Sequence, residues 1–185
     1  MSEADLSQLP DAELIARAKR GDTECFGQLY ERYVDQIYRY VRTRVSDDQD
    51  AEDLTENIFV RSYESLSTYE ERGWAYSAFL YQVARNLLVD HYRQAGSDQP
   101  LDASEPIEAG GPGLEQKLAQ QEDVIRVKEA MGLLPDDYQE IIRLRVLLEL
   151  PTDTAAEWMD RSEGAARVLL HRALKALRQE LETES

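Results

Sequence analysis

A segment near the middle of the chain most strongly limits how it can fold. Residues 96–113 read GSDQPLDASEPIEAGGPG, with four acidic residues, no basic residue and a concentration of Gly and Pro. Such a segment has no apolar face to bury, so it predicts a flexible, extended acidic linker. The linker divides the 185 residues into an N-terminal part, 1–95, and a C-terminal part, 114–185. We therefore expect two small domains rather than one continuous core.

Both parts show the apolar spacing of helices. In the N-terminal part Phe26, Leu29, Tyr33, Ile37 and Val41 recur at three- and four-residue steps, which places them on one helical face. Alternation of β-branched residues, which would indicate strands, is scarce. The fold class is therefore predicted to be all-α. The expected helices span residues 11–21, 22–45, 46–66, 76–94, 114–134, 136–149 and 152–160, followed by a longer one after Ser162.

The composition limits the classes of function. The net charge is −16, with 37 acidic residues against 21 Lys and Arg, which opposes non-specific binding to nucleic acid. The sequence has no apolar run long enough for membrane insertion, an acidic start unlike a secretory signal, and one cysteine, so we expect a cytoplasmic protein. It has two histidines and no metal-ligand, phosphate-loop or nucleophile motif, so we expect no enzyme activity, no metal and no cofactor.

The C-terminal part ends in a helix whose charge is opposite to that of the chain. No acidic residue occurs between Glu163 and Glu180, and Arg167, His171 and Lys175 follow one another at four-residue steps. A short helix and a tight turn precede this basic face. That order predicts a helix-turn-helix whose second helix contacts DNA phosphates. The alternative is an amphipathic surface helix with solvated cations.

These segments together resemble a known family. LPDDYQEIIRLR, followed by LLELPTDTAAEWMDRSEGAARVLLHRALKALRQEL, is similar to region 4 of bacterial sigma factors of the extracytoplasmic-function (ECF) group. DAELIARAKRGDTECFGQLYERY, DAEDLTENIFVRSY and AFLYQVARNLLVDHYRQ resemble consecutive parts of that group's region 2. The resemblance implies a transcription initiation factor that binds RNA polymerase core, directs it to specific promoters and helps to melt promoter DNA. Residues 1–95 would form region 2 and residues 114–185 region 4.

The resemblance implies a polymerase-binding surface on the helix that begins near Asp50. An acidic and apolar face there would dock on the clamp helices of the beta-prime subunit, and region 4 would meet the beta flap. The alternative for the acids is ordinary stabilisation of a helix N-terminus. The residues predicted to bind polymerase are Asp50, Glu52, Asp53, Leu54, Ile58 and Phe59.

The helix that begins near Tyr76 is implied to read the minus-ten promoter element. Aromatic rings can stack on unpaired bases, and polar groups at helical spacing can read base edges. Tyr69 and Phe79 are further candidates for stacking, although some of these rings can instead belong to the core. The residues predicted to contact minus-ten DNA are Trp74, Tyr76, Tyr81, Arg85, Asn86, Asp90 and Arg93.

The basic helix is implied to contact the minus-thirty-five element. The family usually has polar residues at the reading end, where this chain has Ala165, Val168 and Leu169, and Asp160 stands at a turn position that is often Gly. Because these apolar side chains cannot hydrogen-bond to base edges, they predict weak sequence-specific reading. The residues predicted to contact minus-thirty-five DNA are Ser162, Glu163, Arg167, His171, Arg172 and Lys175.

The resemblance also implies an anti-sigma protein that holds the chain inactive. The linker would either thread through the polymerase cleft or act as a plain tether. Two other functions remain open on the sequence. One is a helix-turn-helix regulator that binds duplex DNA tightly without polymerase, and the other is a diverged sigma-like or acidic interaction protein without initiating activity.

Overall fold

A computed structural model describes residues 6–69, 75–94 and 114–183, with only the backbone described for 114–122. The described residues contain helices and no strand, so the all-α prediction is confirmed. The chain divides into two compact units, Met1–Arg42 with Asp47–Gln99, and Thr43–Ser46 with Pro100–Ser185. The segment predicted to be a flexible linker, 96–113, lies outside the described residues.

In the described residues the first unit is a bundle of four helices. Helix α1 is Asp11–Ala18, α2 is Thr23–Arg42, α3 is Asp48–Ser65 with a 3₁₀ turn at Leu66–Thr68, and α4 is Tyr76–Gln94. Gly21 has a φ of 94° in the turn after α1, a conformation that favours glycine. The helices are those expected from the apolar periodicity, and the first three end up to three residues before the expected positions.

The core of the first unit is built from the apolar stripes that the sequence shows. Helix α2 packs against α1, α3 and α4, and α3 packs against α4. Each buried Leu or Ile contributes about 1.5–3 kcal/mol relative to an exposed position. The Leu, Ile and Val residues with 0% exposure in this unit are Leu14, Leu29, Ile37, Val41, Ile58, Leu80 and Leu88.

Within residues 114–183 the second unit has four α-helices and one π-helical segment. Helix α5 is Leu114–Gly132, α6 is Asp136–Ile142, the π segment is Arg143–Leu147, α7 is Thr152–Trp158 and α8 is Glu163–Thr183. Helix α8 packs against α5, α6 and α7. Trp158 is fully buried, and the residues of α7 and α8 buried with it are small: Ala155, Ala156, Ala166 and Ala173. Larger buried side chains of this unit, Ile141 and Leu144, come from α6 and the π segment.

The expected α-helix at 136–149 does not continue in α-helical form. It widens after Ile142, where the Leu148 N–H donates to the Arg143 carbonyl at 2.9 Å across five residues, and Glu149 has a φ of 53°. Pro151 disfavours α-helical geometry at the residue before it, so the chain must leave the helix here. The prediction of one continuous α-helix is therefore wrong beyond Ile142.

Candidate nucleic-acid interfaces

The start of α3 is fixed by a capping interaction. Asp47 is the N-cap residue, and its side chain accepts a hydrogen bond from the Asp50 N–H at 3.0 Å. Asp48 and Asp50 lie in the first turn, where carboxylates favour the positive end of the helix dipole. Because α3 is stabilised in this way, the acids of its first turn have a structural role whether or not they also contact a partner.

The residues predicted to bind polymerase divide between the two sides of α3. Glu52 and Asp53 are exposed, as is Asp50. Leu54, Ile58 and Phe59 are buried, with relative exposures of 9%, 0% and 3%. The assignment of these three apolar residues to a contact surface is corrected, because their side chains pack into the bundle and hold α3 in place.

The outward side of α3 has apolar residues that the sequence interpretation missed. Val60 is 54% exposed and Tyr63 is 41% exposed. The Tyr63 ring makes an edge contact with Phe26 of α2, with centroids 4.8 Å apart. On a helix with Leu54 and Ile58 inside, Val60 falls on the opposite side, so helical phase was a signal that could have found it.

Two of the predicted minus-ten aromatics belong to the core. Tyr76 is 2% exposed and Tyr81 is 0% exposed. The Tyr81 ring makes an edge contact with Tyr40 at 5.1 Å between centroids. Burial raises the pKa of Tyr76 to about 12. The assignment of these two rings as stacking platforms is corrected, because an unpaired base could reach them only after the helices separated.

The polar residues predicted on α4 do share one exposed side of the helix. Arg85, Asn86, Asp90 and Arg93 are all exposed, and an Arg93 Nη1 lies 3.9 Å from an Asp90 Oδ1. Their spacing of one, four and three residues keeps them on adjacent rows of the helix surface. The helix therefore presents amide, carboxylate and guanidinium groups together, a set that can read base edges and contact phosphates. Trp74 lies outside the described residues.

A partly exposed aromatic pair lies near the start of α4. Tyr69 and Phe79 are half-buried, with ring centroids 4.8 Å apart. The Lys19 Nζ lies 5.6 Å from the centroid of the Tyr69 ring and also donates to the Tyr69 carbonyl. Since Tyr76 and Tyr81 are buried, these two rings are the better placed aromatics for stacking among the described residues.

The helix-turn-helix predicted in the second unit is present. Helix α7 ends before a turn in which Asp160 has a φ of 54°, a left-handed conformation that Asp tolerates better than most residues. The Ser162 Oγ accepts a hydrogen bond from the Ala165 N–H at 3.2 Å, which is an N-cap contact. Arg161 forms an ion pair with Asp137 of α6 and so ties the turn to the rest of the unit.

All six residues predicted to contact minus-thirty-five DNA are exposed, namely Ser162, Glu163, Arg167, His171, Arg172 and Lys175. Arg167 Nη2 lies 2.6 Å from Glu163 Oε2, an exposed pair one turn apart. The leucines of α8 recur at three- and four-residue steps, a spacing that predicts a buried stripe, but Leu174 is 42% exposed and the others, Leu170, Leu177 and Leu181, are only half-buried. The buried positions of α8 are instead Ala166 and Ala173.

Within the described ranges no helix is long and apolar enough to cross a membrane, and no cluster of three or more His, Cys, Asp or Glu is placed to hold a metal ion. Cys25 is buried, with its Sγ 3.3 Å from Asp22 Oδ2. Burial, followed by the contact with Asp22, raises the pKa of the thiol, so Cys25 is a protonated core residue.

Comparison with known proteins assigns the two units to one family. Residues 29–97 match the family model for Sigma-70 region 2, and residues 125–177 match that for Sigma-70, region 4. The ECF RNA polymerase sigma factor BldN of Streptomyces coelicolor is 32% identical, over 94% of this chain and 67% of its own length. The chain belongs to the ECF sigma factors. SigD of Mycobacterium tuberculosis, another ECF sigma factor, is 30% identical over 91% of this sigma factor and 82% of its own length.

Solved structures support the fold of this sigma factor. CnrH, in complex with the cytosolic domain of CnrY, matches with a TM-score of 0.64 and 22% identity, over 95% of this chain and 99% of CnrH. RpoE of Bartonella quintana, in complex with the anti-sigma factor NepR, matches with a TM-score of 0.57 and 20% identity, over 86% and 98% of the two chains. As a member of its family, this sigma factor binds RNA polymerase core and directs it to specific promoters. Neither of the other functions left open by the sequence is favoured.

Proposed function

We propose that the initiation function is divided among three exposed helical faces. Residues 1–95 act as region 2 and 114–185 as region 4, joined by the acidic linker 96–113. The outward side of α3 binds the clamp helices of the beta-prime subunit. The polar side of α4 reads and helps to open the minus-ten element, and the basic side of α8 contacts the minus-thirty-five element while region 4 meets the beta flap.

The observation that carries this proposal is the separation of the polar residues from the core on all three helices. Arg85 and Asn86 of α4 point outward while Leu80 and Leu88 of the same helix are buried. On α8, Arg172 and Lys175 are exposed while Ala166 and Ala173 are buried. These side chains do not contribute to the packing of either unit. They are available for a polyanionic partner, and the family binds one.

The apolar and acidic side of α3 fits the polymerase contact. Glu52 and Asp53 are exposed there, and Val60 and Tyr63 add apolar surface. An aromatic and an aliphatic side chain surrounded by charge is the usual composition of an interface with a core and a polar rim. This surface replaces the buried Leu54, Ile58 and Phe59 as the apolar part of the contact.

The sigma factor has no catalytic activity of its own, since RNA synthesis belongs to the polymerase. It acts in the cytoplasm, and an anti-sigma protein holds it inactive until a signal releases it. RpoE of Bartonella quintana, which shares the fold, was solved with such a partner. An anti-sigma protein of this chain would block core binding in a competition assay, because both partners need exposed surfaces of the two units.

In vitro transcription tests the proposal directly. Purified bacterial core polymerase is mixed with a pool of promoter fragments, with and without the full chain, and start sites are mapped. Defined start sites that require the chain are the expected result. Arg85→Ala and Arg172→Ala should each reduce initiation without reducing core binding. Arg39→Ala on α2, which removes an exposed arginine outside the proposed contacts, is the matched control. Core binding without initiation from any fragment would contradict the proposal.

A further inference from the structure

Val168 of α8 has an exposed side chain that folding does not require. It is 51% exposed, and the buried positions of its helix are Ala166 and Ala173. Valine is a poorer helix former than Ala, Lys or Glu because its branched side chain loses rotamer freedom. An exposed valine in the second turn of a helix therefore gains little from packing and loses some helix stability. Its side chain is therefore available for contact with something outside the chain.

The surroundings of Val168 define a smooth strip bordered by cations. Gly164 lies one turn before it and His171 three residues after it, on the same line along the helix. A Cβ added at Gly164 would meet no atom within 4 Å, so no internal contact requires glycine at that position. Arg167 and Arg172 flank the strip and are exposed. The first turns of the outer face thus consist of bare backbone and one isopropyl group between two guanidinium groups.

This strip suits one feature of the DNA major groove. Duplex DNA is the occupant favoured by the charge of the border, since exposed arginines bind phosphates. Val168 has no donor or acceptor, so it can distinguish bases only through apolar contact. Among the four bases the C5 methyl group of thymine is the apolar group exposed in the major groove. The side chain of Val168 would also leave unpaired any polar base edge that it covered, which disfavours other bases at the same position.

We propose that Val168 is a specificity-determining residue of the minus-thirty-five contact and that it reads the C5 methyl group of a thymine. This inference rests on the proposed function, in which α8 contacts the minus-thirty-five element. It changes the expectation drawn from the sequence, where Val168 predicted weak reading. The helix reads one position by shape and apolar contact, while its cations hold the phosphates.

Deoxyuridine provides a sharp test, because it differs from thymine only by the missing methyl group. Holoenzyme is assembled from bacterial core and the full chain, and the upstream element is defined by selection from a randomised pool. Each thymine of that element is then replaced singly by deoxyuridine, and open-complex formation is measured. At one position, the change from thymine to deoxyuridine should lower open-complex formation by the wild type about fourfold. This is the factor expected for burial of one methyl group. On the thymine template, Val168→Ala should form open complexes less well than the wild type by a similar factor. On the deoxyuridine template, open-complex formation by this variant should fall no further.

Leu174→Ala is the matched control, because Leu174 is another exposed aliphatic residue of α8. It should retain the full sensitivity to loss of the methyl group. Two outcomes overturn the inference alone: no thymine of the element shows the effect, or Val168→Ala is equally impaired on both templates, which would place Val168 against protein. If open-complex formation does not change when the whole upstream element is replaced, the assignment of α8 to the minus-thirty-five contact is overturned. The inference then fails with it.

Discussion

Reversal of the charges at Glu52 and Asp53 should separate the polymerase contact from the stability of the first unit. Both side chains are exposed on α3, and neither lies in the capped first turn. Glu52→Lys replaces an attraction to a basic partner surface by a repulsion. An exposed charge pair at 4 Å is worth about 1 kcal/mol in water, so the reversal should cost about 2 kcal/mol, or about 30-fold in the dissociation constant for core.

The fold should tolerate the same change. Surface substitutions away from caps and ion pairs usually alter stability by less than about 0.5 kcal/mol. Glu52→Lys and Asp53→Lys should therefore keep the urea midpoint and the far-UV circular dichroism of the wild type. The double variant should bind core more weakly than either single one, although neighbouring charges need not be additive.

The assay is titration of labelled full-length sigma factor with core polymerase at low and high salt. Because surface charge contacts are screened over about 8 Å at physiological ionic strength, the defect of the variants should shrink as salt rises. Glu31→Lys makes the same change in net charge at an exposed position of α2 and should bind core normally. Normal binding by Glu52→Lys, or an equal loss in Glu31→Lys, would refute the docking of this side of α3.

Three further outcomes follow from the described contacts. Ile58→Ala, at a fully buried position, should lower the free energy of unfolding by about 2–5 kcal/mol, and any loss of core binding should disappear under conditions where the variant is folded. Ser162→Ala should cost about 1 kcal/mol in urea denaturation through loss of the N-cap, whereas Ser162→Asp should not. Burial, together with the hydrogen bond to Asp11 in the case of Tyr33, raises the pKa of both Tyr33 and Tyr76, the latter to about 12. The contribution of these two tyrosines to the free energy of unfolding is complete below pH 10. It should be lost as pH rises toward 12, because the tyrosines of the unfolded chain release their protons first. An unchanged pH slope in the Tyr33→Phe, Tyr76→Phe double variant would contradict this.

The helices could be predicted because their apolar spacing matches what the core requires. Leu29 and Ile37 of α2, both expected on one helical face, are fully buried. The change to π-helix after Ile142 could not be predicted, since the sequence there consists of ordinary helix formers. Arg143, the first residue of the π segment, is fully buried, and its guanidinium donates to Gln139 Oε1 one turn earlier at 2.8 Å. The sequence does not indicate this burial, because charged side chains are mostly exposed.

The polar part of the candidate site followed from the sequence, and much of its apolar part did not. Asn86 and Arg85 are exposed as expected, because a charged or amide side chain is rarely buried without a partner. An apolar side chain can belong to the core or to an interface, and a motif does not distinguish the two. Leu54 and Tyr81 were placed on the surface by their motifs, but packing of α3 and α4 against α2 turns both inward.

The acidity of the chain and the basicity of α8 are consistent with a factor that needs its polymerase to hold DNA. The net charge of −16 opposes the approach of any duplex, and this long-range repulsion is strongest at low salt. The exposed cations of α8 act only at contact distance, and one of them, Arg167, lies next to Glu163. Three or four phosphate contacts give weak binding, which the repulsion reduces further. In the proposed arrangement, docking of the exposed side of α3 on core would let the polymerase supply the remaining phosphate contacts, and α8 would meet its element at a high effective concentration. The same charge distribution that weakens the free protein on DNA would then restrict promoter recognition to the holoenzyme.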